Sequence, residues 1–238
     1  MSQVLLPVST WLNPITPPLL TVHSPRIQAL IRRLRTPVQV QRWLLTLRYN
    51  KKETLRSIHG VTHHHHAHCL EAALTAAAIL EHHGPAPHQR NSATTGAGYP
   101  PLILDLESAD KLDHTLFLFR QRGKYGTVGF SRDIGLNGRK PVYKTIRTLV
   151  QSYAAPYIDK KACITGYGVL DLRTIPENHW RTSKRHVWFV EEALRQIPHR
   201  PLKLSANFIR TWRRRYLNFN KKYPHSQPDY FPNQRRWI

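Results

Sequence analysis

Apolar residues recur at helical spacing in two short segments near the start of the chain. In residues 25–34 and 37–47 they repeat every three or four positions, and a Ser-Pro pair and a Thr-Pro pair open the two segments. Proline is favoured at the first position of a helix, and a preceding serine or threonine supplies the cap. The pattern predicts two short amphipathic helices that pack on the rest of the fold.

The segment HCLEAALTAAAILEHHG, residues 68–84, is the strongest helix signal in the sequence. Alanine and leucine, which have high helix propensity, dominate it, and Gly84 supplies a C-terminal stop. Its many alanines suit a helix that is pressed closely against other elements. Cys69 is predicted to lie at the start of this helix.

Later apolar runs are typical of strands. Residues 102–106 and 115–119 are two such runs, and the second turns through residues 121–124 into a third strand over residues 125–130. Beyond them the sequence predicts a helix over residues 141–153, a strand over 164–172 and a helix over 183–197. Residues 85–98, rich in Pro, Gly, Ser and Thr, are predicted to form a mobile loop.

Length and composition bound the class of protein. The chain has 238 residues, of which 40% are hydrophobic, so it can bury one substantial core without disulfides or a metal ion. Its two cysteines are too few for a secreted disulfide scaffold, and no signal sequence opens the chain. No run approaches the roughly 18 apolar residues of a membrane span. We therefore expect a soluble, cytoplasmic protein without a membrane span, and its oligomeric state stays open.

Basic residues greatly outnumber acidic ones. There are 36 Lys and Arg against 14 Asp and Glu, a formal net charge of +22, which attracts polyanions. From residue 205 onward the bases face a single acid, Asp229, and Trp212, Tyr216 and Phe219 recur among them at helical spacing. These aromatic residues either pack inward, which the periodicity favours, or stack on single-stranded nucleic acid. No recognition motif accompanies the charge, so nucleic-acid binding would rest on non-specific charge.

Cys69 and His114 are the candidates for a catalytic pair. A thiol is nucleophilic as thiolate, and a helix N-terminus favours the thiolate through its partial positive charge and its free backbone N–H groups. A histidine from another element must then accept the thiol proton and later return it. His114 follows Asp113 and begins an apolar strand, which would hold its ring at a fixed point on the sheet edge.

A helix opened by Cys, then a strand, a strand led by His and a returning strand resemble the transglutaminase-like branch of the papain-like cysteine enzymes. The resemblance lies within residues 60–135, on the segments HCLEAALTAAAILEHHG, PPLILDLES and DHTLFLFRQRGKYGTVGFS. The segments SRDIGLNGRKPVYKT and ITGYGVLDL are also similar to a group of bacterial proteins without a settled function. By this resemblance Cys69 is the nucleophile and His114 the general base.

The resemblance implies an α+β fold with a papain-like (transglutaminase-like) core. In that core an N-terminal Cys helix packs on an antiparallel sheet, and helices are added at both ends. The expected division of the chain is a Pro-rich extended arm at residues 1–25, a helical region at 26–59, the cysteine domain at 60–200, and a basic, aromatic extension at 201–238.

The chain departs from the family pattern at the third catalytic position. Family members place an aspartate on the returning strand to orient the histidine, whereas this chain has Gly129 there. Ser131 projects from the same face of the strand at period two, and Asp133 or Asn137 could fold back from the following loop. Any of them would serve, because the third group need only hold the histidine tautomer. Ser131 is the favoured candidate, and a chain in which none reaches the histidine would be catalytically silent.

Two other interpretations compete with catalysis. A buried cysteine is a common core residue, and for Cys163 this is the better interpretation. The histidine run of residues 63–68 beside Cys69 offers zinc ligands, but a contiguous run cannot direct all its side chains at one ion. His82 and His83 lie at the far end of the same helix, about 20 Å away at 1.5 Å per residue. We therefore expect no metal ion and no cofactor.

The sequence thus predicts a cysteine hydrolase or acyltransferase with the catalytic residues Cys69, His114 and Ser131, acting on an amide bond of a peptide or protein substrate. Hydrolysis and amine transfer differ only in the acceptor, so peptidase, amidase and transglutaminase-type activities stay open. The alternative is a non-catalytic basic adaptor that binds RNA, a ribonucleoprotein or another acidic partner through a degenerate transglutaminase-like fold.

Overall fold

The computed structural model describes residues 15–84 and 98–238 of the chain. In chain order, its helices and strands are α1 (Pro25–Arg33), α2 (Pro37–Leu44), β1 (Arg48–Tyr49), α3 (Ile58–His64), β2 (His66–Ala67), α4 (Cys69–Leu80), β3 (Leu102–Ser108), β4 (His114–Gln121), β5 (Lys124–Val128), β6 (Arg139–Tyr143), α5 (Ile146–Gln151), α6 (Ala154–Tyr157), β7 (Ile164–Asp171), α7 (Trp188–Gln196), β8 (Arg200–Pro201) and α8 (Ala206–Lys222). The loop predicted for residues 85–98 lies outside the described residues except for Gly98, as do residues 1–14 of the predicted arm.

Six of the strands form one antiparallel sheet in the order β6-β5-β4-β3-β7-β8. β3 and β4 lie at its centre, where Leu106 pairs with His114 and Leu104 pairs with Leu116. β1 and β2 form a separate parallel pair. The combination of helices with an antiparallel sheet confirms the α+β class that the sequence predicts.

Both faces of the sheet are covered, which explains why its central strands are apolar without polar alternation. One face, which includes Ile103 and Phe117, packs on α4 and shares its core with α1, α2, α3 and α7. The other face, which includes Leu104 and Leu116, is covered by α5 and α6. The start of β4 is therefore held by packing from both sides, and His114 is its first residue.

Helix α4 is buried on all sides from Leu70 to Leu80. A helix that is apolar all round belongs in the interior, and five alanines let its backbone approach β4 closely. Its two glutamates are buried and ion-paired. Glu71 in the first turn pairs with Arg56 at 3.7 Å, and Glu81, just after the last turn, pairs with Arg181 at 2.8 Å. α4 is thus fixed at both ends.

Most of the predicted elements are confirmed, with shifts of a few residues at their ends. The hairpin turn between β4 and β5 places Arg122 and Gly123 at positive φ angles of 51° and 74°, as a tight two-residue loop requires. The helix predicted for residues 141–153 is wrong at its start, because residues 139–143 pair with β5 as the edge strand β6. α5 begins only at Ile146, where the side chain of Thr145 caps it.

The basic C-terminal segment forms α8, a helix of 17 residues with none fully buried. Trp212 packs against Tyr230 and Phe231, with ring centroids 6.2 and 6.1 Å apart, so its predicted packing is confirmed. The Arg213 guanidinium donates to the backbone carbonyl of Asp159 at 3.2 Å and ties the helix to the sheet domain. Although α8 is the longest helix in the described residues, neither it nor any other helix there is long and apolar enough to cross a membrane.

Candidate active site

Cys69 occupies the first position of α4, and neighbouring residues fix where that helix begins. His68 is the N-cap, with an extended backbone at φ −98° and ψ −177°. The buried Glu71 accepts a hydrogen bond from the His68 amide at 3.2 Å. It also accepts from the Thr54 hydroxyl at 2.7 Å and the Arg56 amide at 3.0 Å. This glutamate ties the start of α4 to the segment that precedes α3, and so holds the thiol in one place.

The thiol of Cys69 is flanked by two imidazoles. Burial by itself raises the pKa of the thiol. Hydrogen bonds from His114 and His68, together with the charges of both rings, bring that pKa well below its usual value of 9.0. The N-terminus of α4 acts in the same direction. Because the side chain is only partly buried and lines a cleft, the thiolate that this environment favours is accessible to a substrate.

His68 is a functional candidate that the sequence analysis placed in the surface histidine run. Its Nε2 lies 2.5 Å from the carbonyl oxygen of Thr54, and because a carbonyl only accepts, Nε2 carries the proton. Burial lowers the pKa of His68, but the hydrogen bond to Cys69 and the negative charges of Cys69 and Glu71 outweigh burial and raise it. The signal that could have found His68 is its place before a helix-opening cysteine, where an N-cap side chain turns back over the first turn.

His114 reaches the thiol from the sheet. Its Nε2 lies 2.8 Å from the backbone carbonyl oxygen of Leu136, in the loop between β5 and β6. Nε2 is therefore the donor in that bond, which leaves Nδ1 as the nitrogen that can exchange a proton with Cys69. The group that orients His114 is thus a main-chain carbonyl.

The loop of residues 129–138, which carries this carbonyl, is anchored by two buried side chains. Gln41 of α2 accepts from the amides of Gly129 and Gly138 at 3.0 and 3.1 Å. It also donates to the Gly129 carbonyl at 2.8 Å. Arg139 donates to the Gly135 carbonyl at 2.6 Å, and its guanidinium lies 3.9 Å from the centroid of the Tyr153 ring. Anchors on both sides keep the carbonyl aimed at the imidazole.

Ser131 lies in the same loop and lines the cleft, but its hydroxyl is engaged within the loop. The hydroxyl accepts from the Asp133 amide at 3.1 Å, and the Ser131 amide donates to the Asn137 side chain at 2.9 Å. All three sequence candidates for the orienting group are therefore brought close to the site. They shape the loop, whereas the hydrogen bond at His114 Nε2 goes to the carbonyl of Leu136.

Gly129 is the position at which the sequence resemblance leads us to expect an aspartate, and the packing explains why no larger residue fits. A Cβ atom built at Gly129 would lie 2.2 Å from Cδ2 of Leu116, which is buried in the centre of the sheet. An aspartate would require Leu116 to move. In this structure the hydrogen bond at His114 Nε2 goes to the main-chain carbonyl of Leu136 in the same loop.

A second histidine–carboxylate pair borders the same cleft. His199 Nε2 lies 2.9 Å from Asp105 Oδ2, while Asp105 Oδ1 is buried without a hydrogen-bond partner in the described residues. Asp105 stands opposite Thr115, the residue after His114. Burial raises the pKa of Asp105 to about 6, against the opposing effect of the hydrogen bond from His199. This pair was not predicted, and its one signal in the sequence is a lone acid inside the apolar run LILDL.

The cleft around Cys69 has a volume of about 1120 Å³, and its lining is acidic although the chain is basic. Eight of the 14 acids in the chain line it, namely Glu53, Asp105, Glu107, Asp110, Asp113, Asp133, Asp159 and Glu191. The lysines and arginines in the lining number four, namely Lys52, Lys111, Arg132 and Arg195. With histidines counted as neutral, the lining is therefore −4 in a chain of +22.

Among the described residues, one group of three could supply metal ligands, and it is far from the thiol. His23, Glu81 and His82 bring their ligand atoms within 4.8 Å of one another at the end of α4. At 1.5 Å per residue this group is roughly 18 Å from Cys69 along the helix. Both carboxylate oxygens of Glu81 lie 2.8 Å from Nε of Arg181, which already provides a cation there.

No protein-family model matches the sequence, and no curated protein matches it. The assignment of the site therefore depends on its geometry. That geometry consists of a thiol at a helix N-terminus, two imidazoles beside it, and an acidic cleft that leads to it.

Proposed function

We propose that this protein is a cysteine enzyme of the papain-like, transglutaminase-like kind, in which Cys69 takes up an acyl group from an amide of a peptide-like substrate. The observation that carries the proposal is a thiol that receives hydrogen bonds from His114 and His68 where α4 meets a large cleft. A cysteine that only fills the core needs neither two imidazoles nor access to a cleft. The sequence resemblance supports the same assignment.

The reaction begins with attack of the Cys69 thiolate on the carbonyl carbon of the amide. The new C–S bond turns the carbonyl oxygen into an oxyanion. The C–N bond then breaks as Nδ1 of the His114 imidazolium donates its proton to the leaving nitrogen. A thioester and a free amine result. Water or a second amine attacks the thioester while His114 removes its proton, and the thiolate is regenerated.

Each neighbouring group has a separate task in this sequence. The first backbone amides of α4, which have no intrahelical acceptor, are the donors for the oxyanion. The Leu136 carbonyl holds the His114 ring in the tautomer that presents Nδ1. His68 stabilises the thiolate by charge and hydrogen bonding. Ser131 acts as a positioning residue through the loop that presents the Leu136 carbonyl.

Trapping the acyl-enzyme tests the proposal. A Cys163→Ser background leaves Cys69 as the single thiol, and p-nitrophenyl acetate serves as the acyl donor. We expect a burst of p-nitrophenol and a gain of one acetyl group in the intact mass, removed by hydroxylamine as a thioester would be. Cys69→Ala should abolish the burst. His114→Ala should slow it by about 10- to 100-fold at neutral pH, because the thiolate loses a hydrogen bond from a charged ring.

The exposed His63 supplies the matched control, since His63→Ala removes an imidazole from the surface run and should leave the burst unchanged. Acetylation of Cys69 at the rate of the urea-unfolded chain would refute the proposal. A glutamine-containing peptide, followed by ammonia release, then separates attack on side-chain amides from attack on the main chain.

A second candidate function is binding of RNA or another polyanion along α8. The observation in its favour is that the helix exposes a row of three bases, Arg210, Arg214 and Lys221, while its aromatic side packs on the C-terminal segment with Arg215 over the Trp212 ring. Arg213 is not part of this row, because its guanidinium bonds to backbone carbonyls of the domain. Such a surface would act without the thiol.

Salt dependence of RNA retention tests this second function. We would compare Arg210→Gln/Arg214→Gln/Lys221→Gln with a charge-matched control of three exposed bases on other elements, Arg33→Gln/Lys144→Gln/Arg147→Gln. A true α8 site loses about 0.7 of log–log slope for each phosphate contact removed from a single strand. Equal effects of the two triple variants would show that binding is spread over the whole basic surface.

A further inference from the structure

The acids of this protein are concentrated around its candidate nucleophile. They come from six parts of the chain: the segment before α3, strand β3, the turn between β3 and β4, the 129–138 loop, the segment after α6, and helix α7. Elements far apart in the sequence therefore place like charges around one cavity. Mutual repulsion makes such an arrangement unfavourable unless a cation offsets it.

Most of these carboxylates are not neutralised by a neighbouring base. Asp113 accepts from the Ser108 amide at 2.8 Å, and Asp159 accepts from the amides of Lys161 and Ala162 at 2.6 and 2.7 Å. Asp110 likewise accepts from the Ser108 hydroxyl and the Leu112 amide at 2.6 and 3.2 Å. The donors in these hydrogen bonds are amides and a hydroxyl, which carry no net charge, so they do not cancel the negative charge of the carboxylates.

Two acids of the lining pair with arginines, and a third, Asp105, accepts from His199 at one oxygen and, within the part of the chain that the structure describes, is unsatisfied at the other. Glu191 pairs with Arg195 at 2.8 Å, and Asp133 with Arg132 at 3.5 Å. Asp105 keeps one buried oxygen without a partner in the described residues, at the cleft wall. A donor from a bound ligand would satisfy that oxygen.

Aromatic side chains complete the lining. Tyr157 and Tyr216 face the cleft with Phe231, and Trp188 lies at its edge with 42% of its surface exposed. Aromatic faces attract ammonium and guanidinium groups, most strongly where water is partly excluded. Apolar rings between uncompensated carboxylates match the stem and the charged head of a lysine or arginine side chain.

We propose that the cleft at Cys69 takes a cationic substrate, a peptide segment carrying lysine or arginine side chains next to the amide that reacts. The role as substrate rests on the proposed function, whereas the charge preference of the cleft does not. The net charge of the chain predicts the opposite preference, for anions. Whether Cys69 reacts faster with cations or with anions therefore distinguishes the charge of the cleft from the charge of the whole chain.

Two methanethiosulfonate reagents of opposite charge measure that sign directly at Cys69. The Cys69 thiolate attacks the reagent sulfur that bears the ethyl arm and forms a disulfide bond with it. The S–S bond of the reagent breaks at the same time, and methanesulfinate leaves with the electron pair. One arm carries trimethylammonium and the other sulfonate, and the electrophile is the same. The ratio of the two rate constants, divided by the same ratio for the urea-unfolded Cys163→Ser chain, cancels the intrinsic reactivity of the thiol.

We expect the cationic reagent to be favoured by at least about tenfold, within the range of electrostatic focusing in clefts. Raising the ionic strength from about 0.1 M to about 1 M shortens the screening length from roughly 10 Å to roughly 3 Å and should bring the ratio close to one. Asp110→Asn/Asp159→Asn should lower the ratio severalfold. The control Glu177→Gln/Glu192→Gln removes two exposed acids that do not line the cleft and should leave it unchanged.

A preference for the anionic reagent in the folded Cys163→Ser chain with its full set of acids would overturn the inference, and the salt series checks the sign without any change to the cleft. The substrate role is then tested with p-nitrophenyl esters of 4-(trimethylammonio)butyrate and of glutarate. Faster acylation by the cationic ester is expected. Cation preference without any acylation would overturn the proposed function and leave a cation-binding cleft. Acylation without cation preference would support the proposed function and overturn the inference about the cleft.

Discussion

Removing His114 and removing His68 should both make Cys69 a weaker nucleophile, but only the loss of His114 should also remove the proton carrier. Alkylation by the neutral reagent iodoacetamide, followed across pH in the Cys163→Ser background, reports the thiolate population. In the parent protein the rate should rise with pH through a midpoint well below that of a free thiol, because hydrogen bonds from both rings offset the effect of burial.

The size of each effect follows from the contacts. A hydrogen bond to a charged group contributes about 1.5–3 kcal/mol, and about 1.4 kcal/mol corresponds to a factor of ten. His114→Ala or His68→Ala should therefore lower the alkylation rate at neutral pH by about 10- to 100-fold. In both variants the rate should recover as the pH is raised, since the Cys69 thiol then ionises at a higher pH than in the parent protein.

Acyl transfer separates the two histidines. For an amide substrate, raising the pH should restore the acylation rate of His68→Ala, because that side chain only stabilises the thiolate. For an amide substrate, His114→Ala should stay slow at every pH, because no imidazolium remains to protonate the leaving nitrogen. His63→Ala serves as the control. Identical pH profiles for parent and both variants, or alkylation no faster than in the unfolded chain, would refute the reasoning.

Three further perturbations test the framework of the site. Gly129→Asp should clash with Leu116 and lower the free energy of unfolding by about 1–3 kcal/mol, so it should not improve the orientation of His114. A stable variant with a faster burst would contradict this. Gln41→Leu leaves buried amides unpaired, so it should cost about 1–3 kcal/mol in urea unfolding and slow the burst, although the residue touches neither the thiol nor the imidazole. Arg181→Leu should cost about 3–5 kcal/mol at pH 8 and clearly less at pH 5. The reason is that burial raises the pKa of Glu81 to about 7, so its carboxyl is largely protonated at the lower pH; equal costs at both pH values would show that the pair is not titrating.

The two residues of the proposed reaction could be predicted because each begins an element with a strong local signal. Cys69 opens an Ala-Leu segment of high helix propensity, and the helix begins at that residue. His114 opens an apolar run that forms a central strand. In both cases the local sequence pattern of the element begins at the candidate residue itself, so local information was sufficient to place it.

The orienting group could not be predicted, because it is not a side chain and its supports are distant in sequence. The Leu136 carbonyl carries no sequence letter, and Gln41, which anchors its loop, is 88 residues from Gly129 and 97 residues from Gly138. Residues 141–143 were assigned to a helix for a related reason, since their pairing with β5 is a tertiary contact. The acidic lining is equally invisible along the chain, where its members are spread from residue 53 to residue 191.

A carbonyl in the place of an orienting aspartate changes how the site would respond to random mutation. No single codon encodes that oxygen, so no substitution at Leu136 deletes it, and under the proposed function a screen for inactive variants would find no residue that supplies the orienting group. The hits would fall instead on the buried residues that hold the loop, Gln41 and Arg139, where loss of activity accompanies loss of stability. In such a screen, a third member of the site would be mistaken for a folding defect.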